Sequence, residues 1–344
     1  MMPSPDIDYE FAHKPDVGTT LEIAPGIHWL RMPLPFALSH INLWLFRDGD
    51  AWTIVDTGLG TDDSKQVWEV AFSDAMQGLP VARVIVTHLH PDHVGCAGWL
   101  TERFGVDLWM TREEYMLCRV LVADTGRSAP ARGVDFYRAA GYSDEQLDEY
   151  KQRFGMFGRA ICPLPESYQR LCDGQTGRVG DYEWEVVVGS GHSPEHACFF
   201  NEELNLFVSG DQILPSISAN VSVYPTEPGG NPLKDWIESL NAIKTRIPED
   251  VLVLPAHGKP FRGAHRRIDQ LVNEHLRRLD ILLDHCRSPS RAVDVFPSLY
   301  RAKIDRGNLM FATGEAIAHL NYLINEQLVA VETDKNGVNW YRRN

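Results

Sequence analysis

Several common kinds of chemistry are missing from this sequence. No stretch of about 18 apolar residues occurs in the 344-residue chain, so no membrane-spanning helix is expected. The six cysteines (Cys96, Cys118, Cys162, Cys172, Cys198, Cys286) form no CxxC pair, which argues against a zinc knuckle or a redox dithiol motif. There is no GxSxG segment, the usual strand–turn–helix setting of a nucleophilic serine. Met1 to Gly18 holds Pro3, Pro5, Asp6, Asp8, Glu10 and Pro15 without an apolar core, so the reading expects no signal peptide and a cytoplasmic protein with reduced thiols. Positive charge is scarce: 33 Lys and Arg against 47 Asp and Glu give a net charge of −14. The deficit is uneven, because the residues from Arg262 onward carry 13 basic and 10 acidic groups, or +3, and leave −17 on the front part. Such a body repels phosphate-rich polymers and argues against a nucleic-acid partner.

What the chain does have is concentrated in one run. Thr87-His88-Leu89-His90-Pro91-Asp92-His93 follows the apolar stretch Val81-Ala82-Arg83-Val84-Ile85-Val86, which reads as a buried strand. Three imidazoles and a carboxylate in six residues have no packing use, since each costs a few kcal/mol if buried without a partner. A divalent metal supplies that partner, because neutral imidazole and carboxylate are its natural ligands. Further donors follow strand-like runs elsewhere: Asp56 after Trp52-Thr53-Ile54-Val55, His192 after Trp184 to Gly191, Asp211 after Leu206-Phe207-Val208-Ser209-Gly210, and His257 after Val251 to Ala256. Loops at strand ends are where a rigid sheet positions sites.

This order of motifs, over roughly residues 20 to 260, resembles the metallo-β-lactamase superfamily. The resemblance implies an α/β fold, a four-layer αβ/βα sandwich with the site at the shared edge of two sheets. It implies His88, His90 and His192 on one metal, Asp92, His93 and His257 on the other, and Asp211 bridging both. Asp56 then orients the His88–His93 loop as an outer carboxylate. His196 is expected to be a hydrogen-bonding neighbour of the ligands, and His40 a structural residue. Two positions depart from the pattern: Ser190 stands where a proline is frequent, and Glu195 where glyoxalase II-like members often carry glycine, a change expected to alter the substrate mouth. No cysteine falls on a ligand position, unlike the lactamase subclass with a cysteine-containing second site.

Two other regions stand apart. Glu113 to Arg170 is rich in helix formers, with Tyr115, Met116, Phe136, Tyr137, Tyr142, Tyr150, Phe154, Met156 and Phe157 interleaved. It reads as a helical insertion (113–170) that either walls the substrate cleft, with its aromatic rings facing the metals, or packs as a stabilising layer. After His257, Arg262 to Cys286 reads as one helix with a broad apolar face, Ser288-Pro289-Ser290 starts a second, and Ala312 to Gln327 forms a third. Leu328 to Tyr341 reads as a hairpin with an Asn336-Gly337 turn. Three helices and a hairpin resemble the small winged-helix domain of the superfamily's lactamase-like-2 branch. The expected division is therefore a catalytic domain over 1–261 and a winged-helix-like domain over 262–344. The tail is expected to wall the cleft or to make a homodimer contact.

Two bound metals lower the pKa of a shared water towards 7 and stabilise charge on the attacked oxygen. Asp211 as bridge can then orient the attacking water, and the family resemblance implies that Asp92 handles its proton, so both are the candidate catalytic residues. The ligand set, all nitrogen and oxygen, suits two divalent metals: Zn2+ first, with iron or manganese as alternatives. The first reading is hydrolysis of a small ester, thioester or lactone. A metal-dependent endoribonuclease is the alternative; only 45 residues separate Asp211 from His257, too few for the clamping cassette of the dedicated nuclease branch. A mononuclear iron dioxygenase on the same fold ranks third, because the second ligand set is complete.

Overall fold

A computed structural model describes residues 7–35, 38–301 and 303–344. Strand β1 (Asp8–Tyr9) belongs to the second of two seven-stranded sheets. The first sheet contains β2 (Thr20–Ala24), β3 (Ile27–Pro33), β4 (His40–Asp48), β5 (Ala51–Val55), β6 (Val81–Ile85), β7 (Leu108–Thr111) and β8 (Gln169–Leu171), side by side in chain order. The second contains β9 (Thr176–Val179), β10 (Tyr182–Gly189), β11 (His196–Asn201), β12 (Leu206–Gly210), β13 (Leu252–Pro255) and β14 (Phe261–Arg262), with β1 beyond β14. A turn at Asp48-Gly49-Asp50 joins β4 to β5, with Gly49 at φ 63°.

The two sheets face each other across an apolar layer. Trp29, Trp44, Phe46, Trp184, Val186, Phe199, Val208 and Leu254 interleave there, with Phe46 stacked on Trp184 at 4.6 Å between ring centroids. Helices α1 (Asp62–Ser73), α2 (Pro91–Val94) and α3 (Ala97–Phe104) cover the outside of the first sheet, where Trp68, Phe72, Ala97 and Leu100 pack on the outward-facing strand residues. The helical stretch from Pro91 to Phe104 is split at Gly95 and Cys96.

The insertion holds α4 (Arg112–Ala123), α5 (Ala131–Ala140) and α6 (Asp144–Arg153), the last opened by a Ser143/Gln146 capping box. Helix α7 (Pro232–Arg246) and helix α8 (Ala264–His285) pack on the second sheet through Trp236, Leu240, Ile268 and Leu271. Helix α9 (Phe296–Leu299), helix α10 (Leu309–Asn325) and the hairpin β15 (Val329–Thr333)–β16 (Asn339–Arg343) complete the chain. The chain thus forms the expected α/β four-layer sandwich with an appended helical and hairpin unit. No helix among the described residues is long and apolar enough to cross a membrane.

One expectation changes. The second helix after Ser288-Pro289-Ser290 shrinks to a 3-10 turn (292–295) and the one-turn α9, because Ser290 pairs with Tyr341 and turns the chain onto the hairpin. Most of the apolar face of α8 is buried within the chain against α7 and α10. The insertion's tyrosines do not form an open wall. Tyr137, Tyr142 and Tyr150 are buried in one cluster with the C-terminal helices, and the Tyr142 hydroxyl lies 3.0 Å from Thr313 Oγ1. Tyr115 stacks on Tyr168 at 4.0 Å between centroids. Each of these rings removes more apolar area from water by packing on both faces than by lining a cleft, and the insertion serves as a joint to the C-terminal unit.

Candidate metal centre

All the donor loops leave the sheets at one edge. Asp56 follows β5, His88 to His93 follow β6, His192 follows β10, Asp211 follows β12 and His257 follows β13. Hydrogen bonds sew the two sheets together at this edge: Ala197 N donates to the Thr87 carbonyl at 2.8 Å, and the Asn42 side-chain Nδ2 donates to the Pro255 and Gly258 carbonyls, each at 2.8 Å. Gly210, at φ 49°, has His196 Cε1 only 2.4 Å from where a Cβ would stand, so a side chain there would displace the ring.

The seven donors fall into two groups, His88, His90, His192 and Asp211, and Asp92, His93 and His257. Asp211 Oδ2 lies 3.4 Å from His192 Nε2 and 3.6 Å from His93 Nε2, and its Oδ1 lies 3.5 Å from His257 Nε2, so this carboxylate faces both groups. Asp92 Oδ2 is 3.3 Å from His257 Nε2 and 3.8 Å from His93 Nε2. Such spacings are those of neighbouring ligands around one ion, roughly 3.4 Å apart for bonds of about 2.0–2.1 Å. His93 Nε2, His192 Nε2 and Asp211 Oδ1 are buried with no hydrogen-bonding partner in the protein. Three buried polar atoms left open and converging fit a cation, since each otherwise costs free energy.

The far sides of the rings are held. His93 Nδ1 donates to Asp56 Oδ2 at 2.8 Å, His192 Nδ1 to the Asn220 carbonyl at 2.7 Å, and His257 Nδ1 to the His40 carbonyl at 2.9 Å. Thr87 Oγ1 donates to Asp56 Oδ2 at 2.9 Å and thereby accepts from His88 Nδ1 at 3.0 Å. These acceptors fix the Nδ1–H tautomer and turn each Nε2 lone pair inward. His90 differs, with its Nδ1 placed 2.8 Å from His88 Nε2. Asp56 itself sits at φ 62°, a left-handed backbone that costs about 1–2 kcal/mol in an L-residue and aims the carboxylate at Thr87 and His93.

Electrostatics divides the cluster. Burial, then the neighbouring His93 and His90 rings, hold His88 well below the ordinary imidazole range, and burial with His192 brings His90 down to about 3. Both are neutral donors. For His93, burial opposes charge, but the Asp56, Asp92 and Asp211 carboxylates outweigh it and raise its pKa well above normal. His257 is raised in the same way, against burial, by Asp211 and Asp92. Asp211 is held well below the carboxylate range, His257 and His93 overcoming its burial. Without an ion, then, the surrounding carboxylates favour protons on the His93 and His257 rings, and a cation takes the place of those protons.

His196, which the sequence places beside the ligands, stacks on His88 at 4.6 Å between centroids, and its Nε2 accepts from Asp211 N at 3.1 Å. The Glu195 carboxylate does not turn into the mouth; it accepts from Glu113 N at 2.8 Å at the start of α4. Sequence reasoning missed Glu114 and Asn220. Glu114, fully buried, accepts from Leu89 N and Glu195 N, each at 2.9 Å, and so ties the two histidine loops together. Its burial raises its pKa. Nothing local marks either residue, since one lies in a helix start and the other in a serine-rich loop. A third histidine group, His275, Glu315 and His319, lies on α8 and α10. His275 Nδ1 lies 3.2 Å from His319 Nε2, His319 Nδ1 donates to the Glu315 carbonyl, and Arg278 Nη1 donates to Glu315 Oε1. A guanidinium on the carboxylate and a closed chain between the rings make this a satisfied polar network rather than an open donor set.

Comparison with known proteins adds to this geometry. Residues 38–284 match the family model described as metallo-beta-lactamase superfamily, and residues 279–344 match the metallo-beta-lactamase-like C-terminal domain. The two matches meet in the last turns of α8. A beta-lactamase domain protein from Burkholderia ambifaria is 41% identical, with a TM-score of 0.91 over 98% of each chain. A probable metallo-hydrolase of Bacillus subtilis is 24% identical over 90% of this chain and 95% of its own. An acyl-coenzyme A thioesterase of Gallus gallus is 26% identical over 79% of this chain and 88% of its own.

Proposed function

The chain belongs to the metallo-β-lactamase superfamily, and from that premise we propose that it hydrolyses small acyl thioesters, with esters and lactones as neighbouring substrates, using two divalent metal ions, zinc first and iron or manganese as alternatives. One observation carries the reading: the open Nε2 atoms of His93 and His192 and the open Oδ1 of Asp211 converge at an edge where the opposite side of each ring is already bonded. His88, His90 and His192 are read as one ion's ligands, Asp92, His93 and His257 as the other's, and Asp211 as shared. When bound, such a pair of ions supplies Lewis acidity and lowers the pKa of water between them. The chain's own part is to hold four Nε2 lone pairs inward, to keep Asp211 ionised, and to leave the partly exposed Asp92 placed to take a proton from the attacking water and release it to solvent. Asp56 and His196 act by holding His93, Thr87 and the Asp211 backbone in place.

Similarity to an acyl-coenzyme A thioesterase supports the thioester class. The net charge of −17 ahead of Arg262 disfavours RNA, and the presence of all three second-group side chains disfavours a mononuclear oxygenase. We read the C-terminal unit as winged-helix-like and place the protein in the cytoplasm, with a small-molecule substrate rather than a membrane as its partner. The test is a panel of acyl-coenzyme A thioesters, a lactone and single-stranded RNA, offered to zinc-loaded and chelated protein. The proposal expects thiol release that needs metal and RNA that stays intact. Metal-dependent RNA cleavage with thioesters untouched, or thioester turnover that survives complete metal removal, would overturn it.

A further inference from the structure

The loop between β12 and α7 (213–231) carries the one backbone carbonyl that receives the His192 Nδ1 proton, that of Asn220, at 2.7 Å. Along its length this loop is fastened to the C-terminal helices. Arg267 of α8, buried, donates from Nε to the Leu214 carbonyl at 2.6 Å and from Nη2 to the Ile217 carbonyl at 2.8 Å. Ser218 Oγ lies 3.3 Å from His275 Nε2. Val223 N donates to the Gly314 carbonyl of α10 at 3.1 Å. A Cβ on Gly314 would stand 2.7 Å from Ser222, so only glycine admits this approach. Asn321 Nδ2 donates to the Pro228 and Gly230 carbonyls at 3.1 and 2.8 Å.

At the centre of these contacts Asn220 is fixed through its own side chain. Its Nδ2 donates to Glu315 Oε2 at 3.1 Å, and its Oδ1 accepts from Ser222 Oγ at 2.5 Å. Glu315 is in turn gripped by Arg278 Nη1 at 3.1 Å, while Arg278 Nη2 reaches Glu274 Oε1 at 2.6 Å. An unbroken chain of bonds, Glu274–Arg278–Glu315–Asn220–His192, therefore runs from the surface of α8 through α10 to a ring of the candidate metal centre. The bonds near Glu315 are charge-assisted and partly buried, a class that fixes geometry firmly.

We propose that the C-terminal helices complete the metal centre, with Glu315 as a positioning residue that, through Asn220, sets the orientation and tautomer of His192. This rests on the reading that His192 holds a metal ion. Outer partners of ligand histidines are worth about 10–100-fold in metal affinity, and here the loop that carries that partner, the Asn220 carbonyl, is held by a unit outside the sandwich. Loosening Asn220 should weaken the ion held by His88, His90 and His192 and leave the ion of Asp92, His93 and His257 nearly unchanged. General destabilisation would weaken both and would lower the unfolding midpoint of the metal-free protein as well.

The experiment reverses the hydrogen bond in the full chain with near-isosteric changes. Asn220→Asp sets two carboxylates against each other, and Glu315→Gln paired with it restores a bond with donor and acceptor exchanged, the glutamine oxygen still free for Arg278. Zinc affinities of wild type, Asn220→Asp and the double variant are measured by competition with a chromophoric chelator, alongside metal-free unfolding midpoints. Expected are a loss of about 10–100-fold for one ion in the single variant and recovery in the double variant. Two ions bound as tightly by Asn220→Asp as by wild type, or no recovery in the double variant, would overturn the positioning role while leaving the metal reading intact. A wild-type protein that takes up no zinc would overturn the metal reading and this inference with it.

Discussion

Asp56→Asn isolates the part played by a single outer carboxylate. The substitution keeps size, and asparagine tolerates the φ of 62° almost as well as aspartate, so the backbone has no reason to move. What changes is the hydrogen-bond inventory. Asp56 is an acceptor at both oxygens, taking Thr87 N at 2.8 Å, Thr87 Oγ1 at 2.9 Å and His93 Nδ1 at 2.8 Å. An amide offers one acceptor and one donor. With its oxygen kept on Thr87 N, its NH2 faces His93 and favours the tautomer in which Nδ1 accepts and Nε2 carries the proton. That proton points at the position a metal needs. The expected loss in affinity for the ion at His93 is about 10–100-fold, or roughly 1.4–2.7 kcal/mol. Losing a charge-assisted bond in a buried setting costs the metal-free fold about 1.5–3 kcal/mol besides. Chelator competition reads the first quantity and urea unfolding the second. Wild-type affinity for both ions in Asp56→Asn would refute the argument that this carboxylate sets the His93 tautomer.

Other expectations follow from the same geometry. Glu114→Ala strands the Leu89 and Glu195 N–H groups; at about 1–3 kcal/mol each, urea unfolding should show a loss of roughly 2–6 kcal/mol, and a loss under 1 kcal/mol would mean that the two loops do not depend on the clamp. His257→Ala should reduce bound metal from two ions to one and cut thioester hydrolysis by orders of magnitude with the unfolding midpoint little changed, as read by elemental analysis and a thiol-release assay. Burial holds His319 down to about 4 in the fold, below its unfolded value near 6.5. Below pH 6.5 the unfolded chain takes up a proton the folded chain refuses, so this residue lowers stability as pH falls from 6.5 to about 4, by roughly 3 kcal/mol at most. His319→Gln should flatten that limb of the metal-free stability profile, and an unchanged slope would assign the acid sensitivity elsewhere.

How much the sequence reveals depends on how local each feature is. His88, His90, Asp92 and His93 are legible because strand β6 and the turn of α2 bring them together within six residues. His192, Asp211 and His257 are legible because each directly follows an apolar run that becomes a strand of one sheet. Glu114, Asn220 and the His40 carbonyl act across 25 to 217 positions in sequence, and their residue types are ordinary in helix starts and loops. The insertion shows a limit of another kind. Tyr137, Tyr142 and Tyr150 have the composition of a pocket wall and of a packed joint alike, and only the position of α10 decides for the joint. The α8 face was similarly legible as apolar, but its cover, α7 and α10, is set by the tertiary fold.

The central claim is that two donor groups at one sheet edge hold two ions through a shared Asp211. Anomalous scattering from crystals of metal-replete protein tests it most directly. The account predicts two peaks about 3.5–4 Å apart, one within bonding distance of His88, His90 and His192, the other of Asp92, His93 and His257, with Asp211 touching both. A single peak, with Asp92 and His257 turned away from it, would contradict the account.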